Sequence, residues 1–162
     1  MQIDQLSLAV RDTLAASITI RDWCQITYNK RCILQYGEDN MDLLTSDDAP
    51  WIVVCPTETE ERPQSHDTIG MVALAVGINN PGRTETSLAL DVRTYDGLAE
   101  AIEFARLVRA EALQTDFGCS YTKTDDTDFL SVNKYPLFLA LTGIILVEPE
   151  IVARAEAWRS TT

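Results

Sequence analysis

The feature that most constrains this chain is an apolar run near its end, Tyr135-Pro136-Leu137-Phe138-Leu139-Ala140-Leu141-Thr142-Gly143-Ile144-Ile145-Leu146-Val147. A strand wetted on one face alternates apolar and polar residues, because successive side chains point to opposite sides of the sheet. This run does not alternate. It reads as a central strand covered on both faces, or as a strand that continues into an assembly. It is shorter than the roughly 18 apolar residues that signal a membrane-spanning helix, and it contains Pro136 and Gly143.

The segments before it supply a sheet and its cover. Ile3, Leu6, Val10 and Leu14 recur at helical spacing and predict an amphipathic helix over about residues 3–16. β-branched Ile18, Thr19 and Ile20 break that pattern. Trp23–Tyr28 and Arg31–Tyr36 then read as short strands joined by a tight turn at Asn29-Lys30. An acidic loop, 37–49, carries Asp39, Asp42, Asp47 and Asp48. Pro50 and Pro56 bracket the apolar strand between them, since proline cannot donate to a sheet ladder. A polar loop from Thr57 to Asp67 follows. Ile69–Ile78 is a long strand, apolar on both faces. Leu88, Leu90 and Val92 alternate with Ala89, Asp91 and Arg93, and this segment is expected to form a hairpin with Ile69–Ile78.

Asp96 reads as the N-cap of a helix over about 97–114, with Leu98, Ile102, Ala105, Val108 and Ala112 on one face and Arg106 and Arg109 in its C-terminal half. Phe117–Thr122 reads as a strand and Lys123–Asp128 as an acidic turn. Phe129–Val132 and Tyr135–Val147 form one interrupted strand or two. Pro149 opens a short terminal helix with Ile151, Ala155 and Trp158 on one face. The expected fold is α+β: one mainly antiparallel sheet, with an N-terminal and a central helix packed on it and a short C-terminal helix. The 162 residues make one expected domain, with a core over about 3–148 and a helical extension at 149–162.

The formal net charge is -12, from 25 acids against 13 bases, which repels a polyanion and argues against static nucleic-acid binding. An acidic wall along which DNA slides without sticking has the same balance. Cys24, Cys32, Cys55 and Cys119 form no CxxC pair and lack zinc-ligand spacing, so they read as structural thiols of a reducing compartment. Met1-Gln2-Ile3-Asp4 lacks the positive n-region of a signal peptide, and the chain is expected to be soluble and made inside a cell.

No constellation predicts catalysis. The single histidine, His66, lies in the polar loop without a sequence-adjacent nucleophile or orienting partner. Asp125, Asp126 and Asp128 lack the glycine and closing glutamate of a calcium loop. Glu58, Glu60 and Glu61 sit in a loop, whereas acid–base carboxylates need burial. Phosphate loops, nucleophile elbows and paired zinc histidines are missing from the sequence. The expectation is no enzyme, no cofactor and no metal.

What remains is assembly. The strands at 50–55, 69–78 and 135–147 carry more apolar residues than one sheet face needs. Two helices can cover one face, and the other must meet more protein, either the chain's own loops or a neighbour. The expected interface residues are Asp47 and Asp48; Glu58, Glu60, Glu61 and Asp67; and Asp125, Asp126 and Asp128.

The order of these segments resembles the tail terminator (tail completion) proteins of long-tailed bacteriophages. The helix 3–16, the strand Pro50–Cys55, the long strand 69–78 with 87–94, the helix 97–114 and the closing segment Phe117–Val147 carry the resemblance, over about residues 1–148. It implies a virion neck protein, made in the host cytoplasm, that forms a hexameric ring. Such a ring caps the tail tube, meets the tube protein and a head–tail connector or stopper protein, and passes DNA through an acidic channel without binding it. The resemblance implies no active site and no membrane partner. A second reading is a small acidic module that masks a basic partner protein, for which acidic loops speed association.

Overall fold

Ser17 and Asn29 decide how the first part of the chain folds. The Ser17 side chain accepts a hydrogen bond from the Ile20 N–H at 3.1 Å and so caps a helix. Asn29, in the left-handed conformation at φ 53°, ends that helix with its N–H on the Gln25 carbonyl. The residues between are helical, not a strand leading to a hairpin. The short-range β propensity of Ile18, Thr19 and Ile20 yields to the two caps and to the burial of Ile20 and Cys24 on one helical face.

This computed structural model describes residues 2–37, 44–57, 60–61, 68–118, 122–124 and 130–148. In chain order these form α1 (Ile3–Ala15), α2 (Ile18–Tyr28), β1 (Ile33–Tyr36), β2 (Trp51–Pro56), β3 (Glu60–Glu61), β4 (Thr68–Asn79), β5 (Arg83–Ser87), β6 (Asp91–Tyr95), α3 (Gly97–Ala112), β7 (Thr122–Thr124), β8 (Leu130–Lys134) and β9 (Leu137–Glu148). The fold is α+β with a mainly antiparallel sheet. The expected terminal helix at 149–159 lies outside the described residues.

The main sheet runs β1-β2-β4-β9-β7, with β3 also pairing on β4 and β8 on β9. The apolar run is therefore central, as its composition requires. β9 pairs along its full length with β4, from Thr68↔Glu148 to Asn79↔Leu137. Of the expected segment Phe129–Val132, the described residues Leu130–Val132 belong to a distinct strand, β8, joined to β9 through Tyr135-Pro136. The β1–β2 pairing is parallel and the other pairings are antiparallel.

The hairpin expected between 69–78 and 87–94 does not form. Both edges of β4 are already taken, by β2 and β3 on one side and β9 on the other. β5 and β6 instead pair with each other as a separate two-stranded ribbon, from Arg83↔Tyr95 to Ser87↔Asp91. The expected strand at Phe117–Thr122 is likewise displaced: Phe117 and Gly118 are not in a strand, and β7 begins at Thr122. Lys123 and Thr124, read as part of an acidic turn, are strand residues.

One face of the sheet carries the core. Ile52, Val54, Val72, Leu74, Val76, Ile78, Phe138, Ala140, Ile144 and Leu146 point to it and meet all three helices, through Val10 and Leu14 of α1, Ile20 and Cys24 of α2, and Ala101, Phe104, Ala105, Val108 and Ala112 of α3. Trp23 stacks on Phe104 at 4.7 Å between ring centres, fastening α2 to α3. Each such fully buried aliphatic or aromatic side chain contributes about 1.5–3 kcal/mol. Small residues let α3 lie close: Phe138 occupies the space that a side chain at Gly97 would need. Asp96 precedes this helix without the expected side-chain cap, its own backbone already helical.

Candidate functional site

The opposite face of the sheet is built from the alternate residues of the same strands, and among the described residues no helix contributes to its cluster. Ala49, Trp51, Val53, Cys55 and Ala75 are buried there, with Leu44, Ala73, Leu137, Leu139 and Leu141 partly buried around them. Along β9 the two faces differ sharply. Phe138, Ala140, Ile144 and Leu146 are at most 2% exposed, whereas Leu137, Leu139, Leu141, Ile145 and Val147 are only half-buried. Met71, opposite Ile145, is 36% exposed and lies against Gly143. The expectation that the second face needs further cover thus meets a face whose centre is packed and whose β4–β9 half is apolar and partly open.

The second notable surface is the β5–β6 ribbon. All of β5 and all of β6 except Tyr95 are exposed. Leu88 and Leu90 at its tip are 76% and 77% exposed, and Val92 is 44% exposed. Arg83 and Arg93 converge on Glu85, at 3.2 and 3.3 Å, in ion pairs that water screens to about 0–1 kcal/mol each. At its root Asp96 N–H donates to the Gly82 carbonyl, and Tyr135 Oη–H donates to the Pro81 carbonyl at 2.9 Å. The rings of Tyr95, Tyr135 and Phe138 gather there, with centres 5.3 to 6.4 Å apart.

The described members of the expected acidic interface set fall in two segments. Asp47 and Asp48 belong to a turn just before β2. The Asp48 carboxylate accepts from the Thr45 N–H at 2.8 Å and the Thr45 hydroxyl at 2.9 Å, which holds its pKa below the usual carboxylate value. The Asp47 carbonyl accepts from Lys30 Nζ at 3.0 Å. Glu60 and Glu61, expected in a loop, form β3 against Ile69 and Thr68. Trp51, three residues after Asp48, pairs with Gly77, whereas Glu60 pairs with Ile69, eight residues away along β4 or about 26 Å at strand rise. Glu58, Asp67, Asp125, Asp126, Asp128 and His66 lie outside the described residues.

No family model matches this chain, and no curated protein does.

Two side-chain groups escaped sequence reasoning because they join distant segments. The Glu100 carboxylate accepts from both the Tyr28 hydroxyl and the Asn80 amide, tying α2 and the end of β4 to α3. Burial, and then the hydrogen bond to Glu100, push the Tyr28 pKa well above its ordinary value. Cys24 and Cys32, read as structural thiols, act on each other: interaction with the Cys32 thiol lowers the Cys24 pKa, and interaction with Cys24, with burial, raises that of Cys32, whose Sγ donates to the Ile33 carbonyl at 3.6 Å. The only sequence signal for this contact was the Asn29 cap, which turns the chain back on itself. Among the described residues no three His, Cys, Asp or Glu side chains gather as a metal set, and no helix is long and apolar enough to cross a membrane.

Proposed function

We propose that this chain is a structural subunit that works by assembling with copies of itself, of the phage tail terminator kind. In this reading the copies form a ring, a hexamer by the resemblance, which caps a tail tube and joins it to the head through a connector or stopper protein. The ring would sit in the virion neck. The observation that carries this reading is the face of the sheet that no helix covers among the described residues. Met71, Ala73, Leu137, Leu139, Leu141, Ile145 and Val147 leave an apolar, partly open band on it, while the alternate residues of the same strands are sealed under three helices. Apolar surface at the middle of a sheet is a favourable contact for another protein surface.

The acidic balance supports a channel that lets DNA pass. The alternative of an acidic module masking a basic partner draws less support, because the strand that follows Asp47–Asp48 and the strand of Glu60–Glu61 pair with β4 eight residues apart.

The test is mass and shape in solution. Light scattering and negative-stain microscopy of the purified chain, from micromolar to millimolar concentration, should give a closed ring. A monomer throughout that range would sink the proposal, and a monomer that binds basic proteins tightly would favour the masking module.

A further inference from the structure

The β5–β6 ribbon and its root offer two halves of one contact. A lone two-stranded hairpin is at best marginally stable in water, yet this one is fully formed. Its tip is an ordered turn, with the Leu88 N–H on the Leu90 carbonyl at 3.0 Å and the Ser87 hydroxyl on Asp91 at 2.7 Å. That turn holds two leucines out in solvent. At the root a cavity of about 400 Å³ is lined by Arg93, Thr94, Tyr95, Leu98, Tyr135 and Phe138. Its mouth is open, with Leu98 36% and Tyr135 47% exposed.

We propose that the Leu88–Leu90 tip of one copy seats in the root cavity of the next, joining copies head to tail. The inference rests on the self-assembly reading above and names the residues of one of its contacts. The tip cannot reach its own cavity: Leu90 and Tyr95 are five residues apart on an extended strand, about 16 Å. A second copy supplies the missing half of each pair.

Charge favours the same occupant. Copies of a chain with net charge -12 repel each other. At this contact the tip brings the acid Asp91, and the cavity is lined by Arg93, whose Nε meets Glu85 at 3.3 Å, so that a docked Asp91 would share that guanidinium with Glu85. Apolar side chains filling a tyrosine-walled cavity, with polar groups at its rim, match the apolar-core and polar-rim anatomy of a protein–protein interface. A tip on one side and a cavity on another is a heterologous contact, which closes into a ring when the rotation per copy allows.

The test uses two full-length chains, one carrying Leu90→Cys and the other Leu98→Cys, mixed and oxidised by air with a copper catalyst. A disulfide-linked pair that forms in the mixture, above the level given by either chain alone or by the unsubstituted protein, is the expected result. In parallel, the double variant Leu88→Glu and Leu90→Glu, at exposed tip positions, should keep its circular dichroism and thermal melt and weaken self-association by at least about tenfold. A complete ring without the mixed link, or with the double variant assembling normally, overturns the arm contact and leaves self-assembly standing. A protein that is monomeric at every concentration overturns both.

Discussion

Trp51 covers the backbone of Gly77, its cross-strand partner, so closely that a methyl group at residue 77 would fall inside the indole ring. The indole is 1% exposed, and its Nε1 has no hydrogen-bond partner among the described residues. Trp51 thus supplies much of the cover on the sheet face opposite the helices near β2. Gly77→Ala should force the ring aside and destabilise the chain by about 1–3 kcal/mol, lowering Tm by roughly 3–10 °C. A thermal melt of the alanine variant that overlays the parent would show that the indole is not fixed there.

Tyr28 predicts an alkaline limit. Its folded pKa is raised, by burial first and by the Glu100 hydrogen bond second. A raised folded pKa means that its contribution is complete below the unfolded value of about 10 and declines as pH rises past it. Urea titrations between about pH 9 and 11.5 should show stability falling more steeply in the parent than in Tyr28→Phe. The phenylalanine variant should itself be weaker at neutral pH by about 1–3 kcal/mol, because Glu100 loses a donor. Equal slopes for the two proteins would remove Tyr28 as the cause.

Asp48 behaves in the opposite sense. Its folded pKa is lowered by two hydrogen bonds from Thr45, so its support is present above the unfolded value near 4 and is lost as pH falls through the folded one. Thr45→Val removes the hydroxyl and keeps the N–H. The Asp48 carboxyl should then titrate closer to an ordinary aspartate by NMR. An unchanged titration would mean that the hydroxyl does nothing.

The sheet face opposite the helices gives the prediction that bears on assembly. Met71 is 36% exposed, so Met71→Glu should leave the monomer folded while placing a charge on a surface proposed to be covered in the ring. Sedimentation should show a shift toward monomer with an unchanged melt. In a ring that does form, the bore should be negative; a cryo-EM map with a strongly basic bore would contradict the channel reading.

Much of this architecture was legible in the chain. The unbroken apolar run at 137–147 announced a central strand, Val72, Leu74, Val76 and Ile78 announced its neighbour, and the spacing of Val10 and Leu14 announced the first helix. What misled were residues whose short-range and long-range preferences conflict. Ile18, Thr19 and Ile20 favour strands locally, yet Ser17 and Asn29 cap a helix around them. Leu88, Leu90 and Val92 alternate as a buried strand would, yet they project from the body, because β4 has no free edge to receive them. The candidate surfaces were legible only as an excess of apolar residues. The acidic positions proposed for them follow no periodicity, and contacts such as Cys24–Cys32 and Tyr28–Glu100 depend on where α2 ends.

The full-length pairing of β4 with β9 sets the order in which the protein can mature during synthesis. β4 leaves the ribosome well before its partner, and the stretch between Asn79 and Leu137 takes on the order of several seconds to translate. Throughout that interval one long apolar edge of the nascent sheet has no neighbour, the situation in which unfinished chains stick to one another. Among the described strands β9 emerges last, and its arrival completes the sheet beside β4. Until β9 arrives the core face has no Phe138, Ile144 or Leu146, and helix α3 has only half a sheet on which to lie.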